Sequence, residues 1–415
     1  MVLLYSASYS ELVISLAWGA WYTVQGYVLL FCAYVLAPGL AYGLRAAAVR
    51  RLFRPPPADG APQTNFLLLV PAHNEEALLP GLLASIGHLQ YPAQRFRTVV
   101  VADNCHDHTA RLARQAGAEC LERTTAGPSS KAQALRYAVA TLGLAAPTAT
   151  ATVVCVLDAD CCLDPQFLTG LDRHFARPGA APVVQCSRRV ANAFESDVTL
   201  LDAAAEALRQ QVGAGTRQLL GLESFIFGLG CCLRAPVLAR LLAVPSASLA
   251  EDKEWKAYLT RHRVPVAYCP AASLSYRAVG TGPAFQKQRR RWLSGHAASV
   301  RAHGLALLGQ GLGRGSLSQV DFACELLQPP RSLLLAAALA FGVVAAVAGH
   351  WALLAGWLAV AAALLGYGVL GLHLIGAQAR HLRALLYGGR LAAGVVKSWV
   401  LIGLGFQEKE WRATR

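Results

Sequence analysis

What this chain lacks narrows its reading first. Its 11 cysteines include no Cys-x-x-Cys pair, so paired-thiol zinc sites and thioredoxin-type chemistry have no starting point. They read instead as reduced, small apolar residues of an intracellular interior. Cys105-His106-Asp107-His108 has metal-binding residue types but no second cluster at ligand spacing, and is expected to be a turn and helix cap. No Gly-x-Gly-x-x-Gly follows the first apolar run, and no Gly-x-x-x-x-Gly-Lys-Ser/Thr occurs. The phosphate cradles of dinucleotide-dependent oxidoreductases and P-loop ATPases are therefore missing. Charge is scarce as well, at 15% of 415 residues against 55% hydrophobic. None falls between Glu11 and Arg45, or between Arg331 and Arg380. Each gap exceeds the roughly 20 apolar residues that cross a bilayer, and the second has room for two crossings. The chain reads as a membrane protein. It carries no membrane-buried carboxylate and no pair of broken apolar segments, which counts against a transporter.

Acidic residues are fewer than basic ones, 24 against 38, for a net charge of +14. Much of the excess is arginine beside the apolar stretches: Arg45, Arg50, Arg51 and Arg54, then Arg380, Arg383 and Arg390. By the positive-inside rule these flanks and the intervening domain face the cytoplasm. Anionic lipid headgroups and phosphorylated substrates suit the remaining charge better than nucleic acid does. With no basic region ahead of it and no cleavage site after it, the first apolar stretch reads as an anchor with its amino terminus outside. Spans are expected at Ser332 to Gly349 and Trp351 to Ile375, turning at His350. Leu391 to Phe406, with Lys397 inside it, fits a further span, a re-entrant segment or an interfacial helix. The Pro-rich stretch from Arg54 to Gly60 marks a boundary. The expected organisation is an anchor and basic flank over 1–54, a cytoplasmic domain over 55–310 and a membrane region over 311–415.

The middle of the chain is organised around Val153-Val-Cys-Val-Leu-Asp158-Ala-Asp160, a buried-strand pattern that ends in two carboxylates. Carboxylates this close repel unless a cation or a shared proton lies between them. A lone Asp-x-Asp is also commonly an acidic turn facing water. Phe66 to Val70 and Thr98 to Ala102 are two more apolar runs, ending at Glu75 and at Asp103-Asn104. Helical stretches follow to about His88, over Thr109 to Ala116, over Lys131 to Leu142 and from near Pro165. Strands alternating with helices predict a parallel sheet covered on both faces, with the three acidic loops on one rim. An acidic nucleotide site implies a metal that neutralises the diphosphate, in the phosphate-bound style of Mg²⁺. Beyond about Gln185 the alternation fades. Glu251-Asp252 could be a solvated helix start, and Gln288-Arg-Arg-Arg291-Trp292 a basic interfacial helix.

Together these pieces resemble the membrane-embedded family 2 glycosyltransferases, the group with cellulose, chitin and hyaluronan synthases and ceramide glucosyltransferase. The resemblance rests on Pro71-Ala-His-Asn-Glu-Glu76, Ala102-Asp103-Asn104, Lys131, Asp158-Ala-Asp160, Glu251-Asp252 and Gln288-x-x-Arg291-Trp292, in that order, and on the ending Lys409 to Arg415. It implies an α/β, GT-A-like nucleotide-diphospho-sugar transferase domain with transmembrane helices. It also implies that Pro71, His73, Glu75 and Asp103 serve the nucleotide of a UDP-sugar, with Lys131 nearby and Asp158 facing the diphosphate. Asp160, with Asp158, would hold Mg²⁺ or Mn²⁺. Asp252 would be the general base, with Glu251 beside it; Gln288, Arg291 and Trp292 would close the site and line the acceptor entrance. Two departures stand out: Gly127-Pro-Ser-Ser-Lys131 where many members have Arg-Gly-Lys-Gly, and Cys231-Cys232 where a polar residue is common. The acceptor implied is a lipid, a lipid-linked group or a glycan. A processive polysaccharide synthase and a non-catalytic nucleotide-sugar-binding scaffold are the alternatives.

Overall fold

The computed structural model describes residues 2–52, 61–126, 130–244 and 251–406. Eight strands form one sheet: β1 (Asn65–Ala72), β2 (Phe96–Asp103), β3 (Glu119–Arg123), β4 (Thr152–Val156), β5 (Cys161–Leu163), β6 (Val183–Val190), β7 (Cys231–Arg234) and β8 (Val266–Tyr276). Their order across the sheet is β3-β2-β1-β4-β7-β6-β8-β5. The first four pair in parallel, as the apolar runs and intervening helices predict. The second half corrects the expectation of an all-parallel sheet. There β7 runs antiparallel to both β4 and β6, and β5 antiparallel to β8, while β6 and β8 are parallel. The reason is length and polarity. β5 and β7 have three and four residues, and β3 reads Glu-Cys-Leu-Glu-Arg, so none offers an apolar run to recognise.

Side chains alternate between the faces of a strand, so a central strand that is apolar throughout serves two cores. Leu68, Val70, Val100, Val153 and Cys155 pack toward the helices Leu79–Gly87 and Phe167–Phe175. Leu67, Leu69, Val99, Val101, Val154 and Val156 pack against the opposite layer, which includes Leu135 and Ala138 of Lys131–Thr141, Leu238 of Ala235–Ala243, and Trp255 and Leu259 of Glu251–Arg261. Each such aliphatic side chain contributes about 1.5–3 kcal/mol when withdrawn from water. The helix expected near Pro165 begins at Phe167.

The apolar segments are helices. Val2–Leu52 is one helix of 51 residues that carries Pro38 and a non-helical break at Arg45. Among the described residues three helical stretches are long and apolar enough to cross a membrane, 15–52, Trp351–Leu374 and 379–403, and a bent pair would make a fourth if it is one span. The last of the three resolves the shape of the ambiguous segment, because its helix starts at Ala384, ahead of Leu391, and ends at Gly403. Arg331–Val347 has 17 residues and meets Leu317–Leu327 at a 69° bend through Gln328-Pro329-Pro330, so the span expected at Ser332 is half of a broken element. Proline at two successive positions removes the amides that would continue the helix.

The two parts of the molecule are closely joined. Arg217 donates from Nε to Asp321 Oδ2 at 2.8 Å and from Nη2 to the Tyr34 hydroxyl at 2.8 Å. One guanidinium thus ties the sheet-bearing part to Leu317–Leu327 and to the amino-terminal helix. Phe225 and Ala257 share a core with Leu307 and Phe322.

Candidate active site

Because β1, β2 and β4 are parallel neighbours, their carboxyl ends lie on one rim. Pro71, second from the end of β1, tolerates that place for a backbone reason. The Leu69 carbonyl accepts from Leu157 N at 3.0 Å, so Pro71, two residues on, turns its missing N–H to the same side, past the end of β4. The loops beyond β1 and β2 are latched together. His73 Nδ1 lies 2.7 Å from the Asp103 carbonyl, and Glu75 N donates to Thr109 Oγ1 at 2.8 Å. Asn74 and Asn104 have φ of +55° and +50°, a conformation asparagine tolerates, and their side-chain oxygens accept from the amides of His106 and Thr125, each at 2.8 Å. Asp107 Oδ1 accepts from Thr109 N at 3.0 Å where the helix Thr109–Gln115 begins. The Cys-His-Asp-His run is thus a turn and helix start. Burial would raise the Asp107 pKa, but the Thr109 hydroxyl and amide and the Glu76 amide outweigh it, and the net shift is downward.

Asp103, 2% exposed, ends β2 opposite Arg123 at the end of β3, and the two side chains form an ion pair. Sequence reasoning missed Arg123 because β3 is a half-exposed strand rich in charge. An arginine three residues past a cysteine in an otherwise polar stretch gives no signal of its own.

Farther along the rim the remaining acidic residues and their cations gather. Lys131 opens the helix Lys131–Thr141, whose N-cap Ser130 accepts from Gln133 N at 3.2 Å. Its Nζ lies 2.5 Å from Asp158 Oδ1. Burial works against the Lys131 charge, yet Asp158 and then Glu251 more than offset it, and its pKa is raised. Glu251 and Asp252 open the helix Glu251–Arg261. Burial raises the pKa of Glu251 against the opposing pull of Lys131 and Arg291. Burial also raises that of Asp252, opposed by Lys253, Arg188 and Lys131. The Asp252 carboxylate accepts from Lys253 N at 2.9 Å. Gly228, at φ +77°, passes so near that a Cβ there would lie 3.9 Å from Asp252 Cβ. Lys131, Asp158, Glu251, Asp252 and Arg291 therefore lie within electrostatic reach of one another, although 27 residues or more separate the first from the rest.

Gln288, Arg291 and Trp292 occupy positions i, i+3 and i+4 of the helix Gly282–Ser299 and so share a face. Trp292 is 39% exposed. The Arg289 guanidinium lies 4.7 Å from its ring and 4.7 Å from that of Phe285, and binds Asp202 at 2.5 Å. Arg289, hidden inside a run of three arginines, is a second residue that reading the sequence did not single out. Gly127 to Ser129 and the ending Lys409 to Arg415 lie outside the described residues.

The donor set suits a hard divalent cation. Asp158 and Asp160 flank a single residue, Ala159, beyond β4, and both carboxylates act on the buried Cys161 thiol, whose pKa burial has already raised. Among the described residues no group of three or more His, Cys, Asp or Glu side chains is arranged to hold a metal. Carboxylate oxygens are the donors that a hard cation such as Mg²⁺ takes from protein.

Residues 62–295 match the family model described as "Glycosyltransferase like family 2". The chain belongs to that family. This glycosyltransferase is 25% identical over 235 residues to the probable glycosyltransferase YdaM of Bacillus subtilis (strain 168), covering 55% of this chain and 54% of that one. It is also 25% identical over 239 residues to the beta-monoglucosyldiacylglycerol synthase of Trichormus variabilis, covering 55% and 48%. The matches thus span about half the length of these curated relatives. In three dimensions the glycosyltransferase resembles the mannosyltransferase PcManGT of Pyrobaculum calidifontis, solved with GDP-Man and Mn²⁺. The TM-score is 0.55 at 17% identity, over 92% of this chain and 99% of that one. The shared architecture is the GT-A-like mixed sheet.

Proposed function

We propose that this glycosyltransferase is an inverting, divalent-metal-dependent enzyme that moves a hexose from a nucleotide-sugar, UDP-linked in the first instance, to a lipid or lipid-linked acceptor at the cytoplasmic face of the plasma membrane. The observation that carries the reading is the separation of carboxylates within one cluster. Asp158 sits with Lys131 at the end of β4, whereas Asp252 sits on a different element, beside Gly228. An inverting transfer needs that division, with one carboxylate free to act on the face opposite the leaving group.

In this reading Glu75 and Asp103 contact the nucleoside, in a loop shaped by Pro71 and His73 and held by Arg123. Asp160 and Asp158 would hold Mg²⁺ or Mn²⁺, which when bound would supply Lewis-acid stabilisation of the departing diphosphate. Asp252 takes the proton of the acceptor hydroxyl as its oxygen attacks the anomeric carbon and the carbon–oxygen bond to the diphosphate breaks. Lys131 and Arg291 meet the charge that develops on the leaving group. Glu251 holds Lys131 in place, Gln288 supports the helix that brings Arg291, and Trp292 offers a flat apolar face to the sugar or acceptor.

A lipid acceptor is favoured by what packs on the helix that carries Trp292. Gln286, on the same helix, donates to the Leu391 carbonyl at 3.1 Å, and Gly394 approaches it closely, so a membrane-competent helix packs along this one. The relative named for monoglucosyldiacylglycerol synthesis agrees with this choice. We assign 1–54 as anchor, 55–310 as the catalytic domain and 311–415 as the membrane region. Arg45, Arg50 and Arg51, then Arg380 and Arg383, favour the cytoplasmic side for their flanks, while Arg390 lies inside the helix Ala384–Gly403.

Nucleotide release from the detergent-purified protein tests the reading across UDP-glucose, UDP-galactose, UDP-N-acetylglucosamine and GDP-mannose. The last is included because the structural neighbour is solved with GDP-Man. Release is expected from one donor with Mn²⁺ or Mg²⁺, falling at least about 10²-fold with chelator or in Asp160→Asn. Release that chelator leaves unchanged would remove the metal from the reaction. Release from none of them, in folded protein, would remove the nucleotide-sugar donor from the reading.

A further inference from the structure

The catalytic base has a neighbour whose partner lies on another element. Lys253 follows Asp252 directly, and its Nζ lies 2.5 Å from His296 Nδ1 on the helix that carries Gln288, Arg291 and Trp292. An ammonium can only donate, so Nδ1 accepts and the ring proton sits on Nε2. The backbone of Gln328 also acts on the ring, in the direction that raises its pKa. Gln328 is the first residue of the break between Leu317–Leu327 and Arg331–Val347. From the far side the Trp399 ring meets the imidazole edge-on at 6.2 Å, out of the carboxyl-terminal helix Ala384–Gly403. One imidazole therefore joins the base's helix to a membrane-competent helix.

We infer that Lys253 and His296 form a positioning relay that fixes the Asp252 carboxylate relative to the Arg291–Trp292 helix and couples both to the membrane helices. The inference rests on Asp252 being the base. His296 is suited to the task because it stays neutral. Burial, and then the Lys253 charge, push its pKa down to about 3, so it remains an acceptor for the ammonium throughout the working range. Lys253 has a second effect, since its charge opposes the burial that raises the Asp252 pKa. The other groups acting on Asp252 include Arg188 of β6 and Lys131. Lys253 in turn feels burial, which lowers its pKa, then Asp252, Glu325 of Leu317–Leu327 and Arg209. No other cation acts on Asp252 as strongly as Lys253 does.

The test is the pH profile of transfer in four variants of the full chain. The donor is whichever of the four nucleotide-sugars the wild type turns over, and the acceptor is dioleoylglycerol in mixed micelles. Removing the charge in Lys253→Met lets the Asp252 pKa rise further. The acid limb of kcat/KM should then move up by about one pH unit, with kcat down on the order of tenfold and donor KM within about twofold. His296→Leu strands the ammonium and should lose kcat similarly. His296→Asn keeps an acceptor oxygen where Nδ1 stood and should recover to within about threefold of wild type. An unmoved acid limb and unchanged kcat in Lys253→Met would overturn the relay, as would an Asn variant as damaged as the Leu variant. Donor titration checks that each variant is folded; if Lys253→Met fails it, the Leu and Asn pair decides. Asp252→Asn runs alongside. If it still transfers, the base reading fails and takes the relay with it. If it is dead while Lys253→Met matches wild type, only the relay fails.

Discussion

At the residue scale, the structure pairs Asp103 with a partner that was harder to foresee than the acidic residue itself. Asp103 was legible as the last residue of an apolar run, but Arg123 was not, because its strand alternates charge with small apolar residues. The side chain of Asp103 is nearly sealed from solvent, and that guanidinium is paired with its carboxylate. Arg123→Met would remove one partner of a buried ion pair. It should cost about 3–5 kcal/mol of stability and raise donor KM, read by thermal melting and by donor titration of the same preparation. A melt within a degree or two of wild type would mean that Asp103 finds another donor. Lys253 and His296 were equally invisible beforehand. Their contact joins positions 43 residues apart, and neither lies at a spacing that periodicity can register.

At the element scale, legibility followed the length of apolar runs. β1, β2 and β4 are uninterrupted runs and were read in place, and three of the acidic loops with them. The antiparallel insertion of β7 could not be read, since a four-residue strand reveals neither its direction nor its neighbour. Another constraint is a close approach of backbones. At Gly170, in Phe167–Phe175, a Cβ would lie 2.6 Å from the Ala271 carbonyl oxygen and 2.8 Å from Ala272 N of β8. Backbone on both sides gives no flexible group to move aside. Gly170→Ala should therefore cost about 1–3 kcal/mol, seen as a lowered unfolding temperature with donor KM little changed. An unchanged melt would show that helix and strand can separate without loss.

At the scale of the whole molecule, composition alone pointed to membrane helices, and the structure adds how they meet the catalytic part. Gly371 of Trp351–Leu374 sits where a Cβ would come within 2.8 Å of the Ala204 carbonyl oxygen, and Arg217 binds Asp321 and Tyr34 across the same general seam. The helices reach the site through packing: Ala384–Gly403 lies on the helix that carries Trp292, and Trp399 meets His296. Such contacts join residues far apart in sequence, so hydropathy could predict the helices but not the seam. This arrangement gives a family 2 glycosyltransferase in which a membrane-competent helix packs on the helix that carries Arg291 and Trp292.

The most direct test of a transfer site built around Asp252 is the movement of labelled sugar from nucleotide donor into organic-extractable lipid, comparing the wild type with Asp252→Asn. Donor binding is titrated in both. With the base removed and the nucleotide site intact, transfer should fall by about 10²–10⁴-fold while donor affinity stays within about threefold. Transfer by Asp252→Asn at the wild-type rate, with the donor bound equally well, would contradict the assignment of this carboxylate and the mechanism that depends on it.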